Sequence, residues 1–445
     1  MPDVQHKRGS RADLNTLAAA NGLLLGQIYL ITDEDRLAVA TGVGSYQAAE
    51  KEGGGGGSAL ELYAENPSSP TAPSATGANA VAIGSGATTS GSQDGIALGT
   101  NAAAGNKAVS IGQGTVAANG GVAIGGYTYG ATASGAGSVA IGGWIADATA
   151  SSSYAVAIGE GTDATAARSL AIGNDAQAVS GERAVAIGQS YASGAGSFAA
   201  AIANNTATYG ATGANSVAIG NLAKAGGADS VSIGDTNLAN NSGAIAIGTS
   251  NTASGSSSVA IGISHTASGY GSSCIGGSTS TASQTYAMTL GPYAKASVDN
   301  AFIFGSKGFF SAGSVQSGKY ILYSDTTNAT PEALTTTNST AGTTNQIILP
   351  NNSAFAFHGT IVARQQASDG TASAAWKIEG LIRREANAGT TVLVNSATTI
   401  LDNTPAWGMA LSADTTNGGL KIEVTGAAAT NIRWVATLNT SEVTY

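Results

Sequence analysis

The segment Gly313–Lys319 has the glycine and lysine spacing of a nucleotide phosphate-binding loop. In such loops a serine or threonine follows the lysine, because its hydroxyl group coordinates Mg²⁺. Tyr320 stands at that position here, and no buried strand is predicted before the glycine. The segment therefore does not predict a nucleotide site.

Histidines and carboxylates give little sign of catalysis or metal binding. His6, His265 and His358 lie in three different regions, so no metal site or other cofactor is expected. His265 stands at a repeat position that we expect to be solvated. Glu379 and Asp402 could be proposed as the two acids of a glycan-cleaving enzyme, but nothing in their spacing singles them out. We expect no catalytic residues.

Aromatic and basic residues near the C-terminus are candidates for binding, since such residues are common anchors of recognition. The candidate receptor contacts are Trp376, Lys377, Arg383, Arg384 and Trp407. The tryptophans, together with Trp434, could instead form a core, and the basic residues could be exposed positions on alternating strands. Any recognition is expected within residues 346–445.

The composition indicates a thin, elongated protein. Of 445 residues 63 are glycine, while only 10% are charged and 6% aromatic. Ordinary domains carry about 25% charged residues, and small side chains bury little apolar area.

The single cysteine, Cys274, excludes an intrachain disulfide. A net charge of −9 argues against nucleic-acid binding, and no apolar stretch is long enough for a membrane helix.

A four-residue motif occurs sixteen times between Val81 and Gly305, at intervals of 13 to 17 residues. Its pattern is large apolar, small, large apolar, glycine, and a degenerate copy is placed at 200–203. Alternate residues of a strand share one face. We therefore predict that the first and third residues fill a core, while the second, alanine in eleven copies, lies on the opposite face. Glycine at the fourth position suits a positive φ or a close backbone approach.

This period predicts a parallel β-solenoid whose rungs, its successive turns, stack on one another. Each rung supplies only two large apolar residues, so one solenoid alone should be marginally stable. Because alanine is disfavoured in exposed strands, we predict lateral packing of solenoids, most simply as a homotrimer. The predicted trimer-face small residues include Ala82, Ala140, Ala157, Ala186, Ala218 and Ala246. The alternative is that alanine merely tolerates exposure on a monomer.

The motifs and the Ala-Ser-Gly segments between them resemble the head repeats of trimeric autotransporter adhesins. The resemblance implies a trimeric left-handed parallel β-roll over residues 78–305. It does not extend to the export signal and membrane anchor of those adhesins, which this sequence does not predict. It is a likeness of fold, and binding to matrix proteins does not follow from it.

Residues 1–52 contain short segments, from Val4–Gly9 to Arg36–Val39, that resemble the N-terminal module of bacteriophage tail fibres and receptor-binding proteins. The resemblance implies a strand, a helix and a β-hairpin that join a fibre to tail or baseplate proteins. An ordinary small β-rich cap is the alternative. Residues 53–77 contain five consecutive glycines and then three prolines, which predicts a linker.

The C-terminal part is predicted to be a neck, 306–345, followed by a β-sandwich or jelly-roll tip, 346–445. Seven short strand-like runs separated by turn signals support the second assignment. The tip resembles C-terminal domains of phage tail fibres.

The whole pattern predicts an all-β, non-enzymatic phage tail or baseplate fibre. Such a fibre would be assembled in the host cytoplasm, reside in the virion tail and attach through its tip to a host glycan or protein. Neither a nucleic-acid partner nor membrane insertion is expected. A bacterial cell-surface trimeric adhesin and a tailspike-like glycan depolymerase are the alternatives.

Overall fold

The computed structural model describes twelve ranges of the chain. They are 7–23, 28–32, 36–42, 45–48, 71–89, 93–126, 130–143, 145–201, 208–309, 311–366, 372–403 and 405–445. The chain divides into two compact units, 1–58 and 59–445. His6 and the predicted linker up to residue 70 lie outside the described residues.

The N-terminal unit contains one helix and a small sheet. Its elements are β1 (Lys7–Gly9), α1 (Arg11–Ala19), β2 (Ile28–Ile31), β3 (Arg36–Gly42) and β4 (Ser45–Ala48). Strand β1 is parallel to β2, and β2, β3 and β4 are antiparallel neighbours. The helix begins at a capping box, because the Asp13 N–H donates to Ser10 Oγ while the Ser10 N–H donates to the Asp13 carboxylate. The strand, helix and hairpin predicted for this region are present.

The shaft, residues 74–305, contains sixteen rungs of two short strands each. In chain order the strands are β5 (Ser74–Ala75), β6 (Val81–Ile83), β7 (Thr88–Thr89), β8 (Ile96–Leu98), β9 (Ala103–Ala104), β10 (Val109–Ile111), β11 (Val116–Ala117), β12 (Val122–Ile124), β13 (Thr132–Ala133), β14 (Val139–Ile141), β15 (Thr149–Ala150), β16 (Val156–Ile158), β17 (Asp163–Ala164), β18 (Leu170–Ile172), β19 (Gln177–Ala178), β20 (Val185–Ile187), β21 (Tyr191–Ala192), β22 (Phe198–Ala200), β23 (Gly210–Ala211), β24 (Val217–Ile219), β25 (Lys224–Ala225), β26 (Val231–Asp235), β27 (Leu238–Ala239), β28 (Ile245–Thr249), β29 (Thr252–Ala253), β30 (Val259–Ile263), β31 (Thr266–Ala267), β32 (Ser273–Ser278), β33 (Thr281–Ala282), β34 (Met288–Leu290), β35 (Lys295–Ala296) and β36 (Phe302–Gly305). The even-numbered strands, formed by the repeat motif, are called motif strands, and the odd-numbered strands are called intervening strands.

Equivalent strands of successive rungs pair in parallel, so each kind of strand forms a continuous sheet along the shaft. In the middle of the shaft, β14 and β16 align Ala140 with Ala157 and Ile141 with Ile158. The register therefore repeats residue for residue, and the predicted parallel β-solenoid is confirmed.

Small residues fill the interior of the solenoid. The alanines predicted for a trimer face are at most 1% exposed in the single chain, namely Ala82, Ala140, Ala157, Ala186, Ala218 and Ala246. Their assignment to that face is wrong, because they are enclosed by their own rung. The prediction that the large motif residues fill the core is also wrong, since Val156 and Ile158 are only partly buried. Other interior positions of this rung, such as Ala155 and Thr162, are small too, which indicates that the space between the two sheets is narrow.

The fourth residue of the motif has the geometry predicted for glycine. Gly159 has a φ of 128°, and a Cβ atom built on it would lie 2.0 Å from the carbonyl oxygen of Gly173 in the next rung. The degenerate copy differs from its predicted register: its strand begins at Phe198, which places Ala199 in the interior. Ala201, with a φ of 55°, then takes the glycine position.

The C-terminal tip consists of two antiparallel sheets that share one core. Its elements are β37 (Val315–Thr326), β38 (Glu332–Ala333), β39 (Ile347–Ile348), β40 (Ser353–Gln365), β41 (Ser373–Arg384), a 3₁₀ turn (Ala388–Thr390), β42 (Val392–Asp402), β43 (Gly408–Asp414), β44 (Gly419–Thr425) and β45 (Ile432–Thr444). The larger sheet has the order β37, β45, β40, β41, β42, and in the smaller one β44 pairs with β38, β39 and β43. Strand β37 lies within the predicted neck and pairs with both β36 and β45, so this part of the neck belongs to the tip sheet.

Candidate interaction surfaces

The outer face of the motif strands carries a row of large apolar side chains. We call this row the apolar stripe; it comprises the first and third residues of each motif strand, which are large and apolar except for Ala200 and Ser273. Ile111, Ile187 and Leu290, for example, are 36%, 40% and 37% exposed. Parallel pairing in register places these residues directly above one another. Contiguous apolar surface on this scale is typical of a surface that another molecule covers.

A second feature of the shaft is a ladder of buried polar side chains at one position of four successive rungs. Its members are Asn237, Asn251, His265 and Ser280, each at most 1% exposed. The Asn251 N–H donates to Asn237 Oδ1 at 2.9 Å, and the His265 N–H donates to Asn251 Oδ1 at 3.0 Å. The expectation that His265 is solvated is wrong, and burial lowers the pKa of its imidazole.

The tryptophans proposed as receptor contacts belong to the core of the tip. Trp376 is 2% exposed and Trp407 is 6% exposed. Their rings pack against Trp434 at centroid distances of 5.7 and 5.8 Å, and Trp434 Nε1 donates to Thr326 Oγ1 at 2.9 Å. Trp376 and Trp407 are therefore not surface contacts, and the alternative interpretation as core residues is correct.

The three basic candidates divide between the two sides of β41. Lys377 and Arg383 lie on the outward face, because alternate residues of a strand point to opposite sides. The exposed ammonium group of Lys377 lies 4.0 Å from a carboxylate oxygen of Glu379. Arg384 points inward, where its guanidinium group donates to the Leu349 carbonyl oxygen at 2.7 Å. Of the five candidate receptor contacts, only Lys377 and Arg383 are thus positioned to contact another molecule.

A buried carboxylate, which the sequence did not single out, joins the shaft to the tip. Glu442 is 5% exposed; it accepts a hydrogen bond from the Tyr320 hydroxyl at 2.9 Å and another from Gln316 Nε2 at 2.7 Å. The Lys295 N–H of the last intervening strand donates to Gln316 Oε1 at 3.0 Å. Burial, and then the Glu442 carboxylate, raise the pKa of the Tyr320 hydroxyl. The hydroxyl stays protonated, and Glu442 acts as a structural acceptor.

The described residues do not assemble the catalytic pair or metal site considered above. Glu379 pairs with Ala397, while Asp402 pairs with Ala375, four residues away along β41. This register separates the two acids by about 13 Å along the strand, beyond the roughly 5–9.5 Å of glycosidase carboxylate pairs. Within the described ranges, no group of three His, Cys, Asp or Glu residues could hold a metal ion. No helix of the described part combines the length and the apolar character needed to cross a bilayer.

The repeat defines the class of the shaft. The YadA head domain repeat family matches residues 75–102, 129–143, 150–176, 164–190, 211–236 and 239–263. All six segments lie within the solenoid, so the resemblance of the shaft to adhesin head repeats is confirmed. The shaft is thus a β-solenoid with adhesin-like head repeats, which supports a fibre- or adhesin-type role.

Among solved structures, this chain is similar to the tailspike protein gp49 from Acinetobacter baumannii bacteriophage Fri1, a capsular polysaccharide depolymerase. The identity is 9% and the TM-score 0.22, over 81% of this chain and 68% of that chain. A TM-score of this size does not establish a shared fold. No curated protein sequence matches this chain.

Proposed function

We propose that this chain is a non-enzymatic structural fibre protein that functions as a homotrimer, with the apolar stripe of each copy packed against the other two. The stripe is the observation that carries the proposal. It extends over the sixteen rungs and is only partly buried in the single chain, because the interior of the motif strands is occupied mainly by small residues. Covering it removes apolar area from water, which stabilises the assembly. The resemblance of the repeats to those of trimeric autotransporter adhesins favours three copies.

The oligomer is tested by light scattering on the purified full chain and two variants. Ile187→Asp places a charge on the stripe, whereas Val116→Asp places one on an intervening strand at nearly equal exposure, 40% against 41%. We expect wild type and Val116→Asp to have three times the chain mass of 43.2 kDa. We expect Ile187→Asp to dissociate, so that its measured mass falls below that of the trimer. A wild-type mass of one chain refutes the trimer, and an unchanged Ile187→Asp trimer refutes the stripe as its interface.

We further propose that the fibre belongs to a bacteriophage tail or baseplate. In this proposal the N-terminal unit attaches it to the virion, and the tip contacts a host glycan or protein. Two observations support this arrangement: the N-terminal unit has the strand, helix and hairpin order of the module it resembles, and the tip presents Lys377 and Arg383 outward. Aromatic core residues take no part in this contact.

Immunogold electron microscopy with antibodies against the full chain tests the location. Labelled virion tails support the phage assignment, and labelled bacterial envelopes without particles support the surface-adhesin alternative instead. Incubating the full chain with host capsular polysaccharide tests the remaining alternative, since released oligosaccharide would contradict a non-enzymatic role.

A further inference from the structure

One strand of the tip has almost no burial on either face. Ten of the eleven residues of β42 are exposed, including Val392 at 46%, Val394 at 48%, Ile400 at 62% and Leu401 at 60%. Among the described residues β42 pairs only with β41, with register shifts near both ends, and no described strand pairs with its second edge. The ten residues from Val392 to Leu401 carry no charge.

This combination is unusual for an edge strand in water. Native proteins normally protect open edges with charged side chains, proline, bulges or a covering element, because unpaired backbone groups invite pairing with other chains. Residues of a strand alternate between two faces, and in an ordinary sheet at least one face packs on a core. The pairing of β42 with β41 is irregular at two places, but between Val392 and Leu401 the strand has no charge and no proline. Of its large apolar residues only Leu393 packs against the core of the tip. The other four stay exposed, which indicates that another molecule covers them.

The same chain carries an apolar surface that could receive this strand. On the outward face of the larger sheet, Tyr323, Val435 and Val362 stand side by side on β37, β45 and β40. Their exposed fractions are 39%, 39% and 52%. We call these three residues the receiving row. Residues paired across strands share a face, and β37 pairs with β36, so the row lies on the same side of the continuous sheet as the apolar stripe.

We infer that β42 of each chain packs onto the receiving row of a second copy, so that the tips are joined around the fibre axis. The inference rests on the trimer proposed above. Each chain presents two different patches, a protruding strand and a flat row, and a contact between different patches closes into a ring under three-fold symmetry. A second copy is the occupant because the row continues the face on which the shafts meet.

Hydrogen exchange on the full chain tests this inference, with mass measured in parallel. Ile400→Asp alters the strand and Val362→Asp alters the receiving row. Ile145→Asp is the matched control, because Ile145 is 67% exposed and lies in the shaft between β14 and β15. We expect peptides covering 392–402 to exchange about tenfold more slowly in wild type and Ile145→Asp than in the two tip variants. All four proteins should keep the three-chain mass, since the stripe still holds the shafts.

The outcomes separate this inference from the trimer itself. A wild-type trimer whose residues 392–402 exchange at the rate of the tip variants overturns the packing of β42 and leaves the trimer standing. A wild-type monomer overturns both. Loss of protection in Ile400→Asp but not in Val362→Asp overturns the receiving row as the partner surface.

Discussion

Protonation of His265 should weaken the shaft locally at mildly acidic pH. Both ring nitrogens are engaged in the folded chain: Nδ1 accepts from the Ser280 N–H at 3.0 Å, and Nε2 bonds to the Gly276 carbonyl oxygen. Since a carbonyl oxygen can only accept, Nε2 carries the proton and the ring is neutral. A second proton on Nδ1 would place two N–H groups against each other and break the bond to Ser280.

The sign and size of the effect follow from this geometry. Burial lowers the pKa of His265 from its ordinary value of 6.5, so the unfolded rung binds more protons than the folded one below that pH. The stability contribution is complete above pH 6.5 and is lost as the pH falls below it. At pH 5.5, one unit below the ordinary pKa, the loss is at most about 1.4 kcal/mol.

Native-state hydrogen exchange at pH 7.5 and 5.5 measures this loss where it occurs, because rungs of a solenoid open locally. The control is His265→Asn, since Asn251 fills the equivalent position one rung earlier with a full set of hydrogen bonds. After correction for intrinsic rates, protection of residues 263–282 should fall by up to about tenfold in wild type and change little in His265→Asn. Equal pH dependence in the two proteins would refute the reasoning, and peptides around Asn237 serve as the internal reference.

Three further substitutions test the packing described above, each by thermal or denaturant unfolding. Ala157→Leu should destabilise the shaft by about 1–3 kcal/mol because it overpacks the interior, while Val116→Leu on the outer face of an intervening strand should change the midpoint little; equal effects would contradict the interior assignment. Gly159→Ala should cost roughly 1–3 kcal/mol through its positive φ and its clash with the next rung, and a wild-type midpoint would rule this out. Glu442→Gln should cost about 1–3 kcal/mol by removing an acceptor from buried donors, with tryptophan fluorescence reporting on the tip; an unchanged tip transition would contradict the structural role.

The sequence predicts the shaft well because its constraints are local. The spacing of the motif determines the length of each rung. The lack of space for a Cβ atom at Gly159 is visible in the sequence as a glycine that recurs at one position of the motif. Alternation also separates Ala157 from Val156, but it does not say which face is inside. That choice depends on the distance between the two sheets, a tertiary property. The small residues at Ala155 and Thr162 were the available signal that the interior of this rung is narrow.

The tip was harder to predict because its decisive contacts join distant parts of the chain. Alternation already places Trp376 and Lys377 on opposite faces of one strand, so they could not form a single site. The partnership of Glu442 with Tyr320 spans 122 residues, and no local pattern marks it. The exposure of β42 is likewise invisible in sequence, since a run of uncharged, strand-forming residues is equally typical of a buried strand.

The interior of small residues makes the shaft a modular spacer. Because successive rungs share the same aligned backbone, deletion or duplication of one whole rung leaves the neighbouring rungs able to stack on one another. Each such event would alter the reach of the fibre by one strand spacing, about 4.8 Å, without any compensating substitution. Shaft length can therefore evolve in small, discrete increments by unequal recombination within the repeat, independently of the N-terminal unit and the tip.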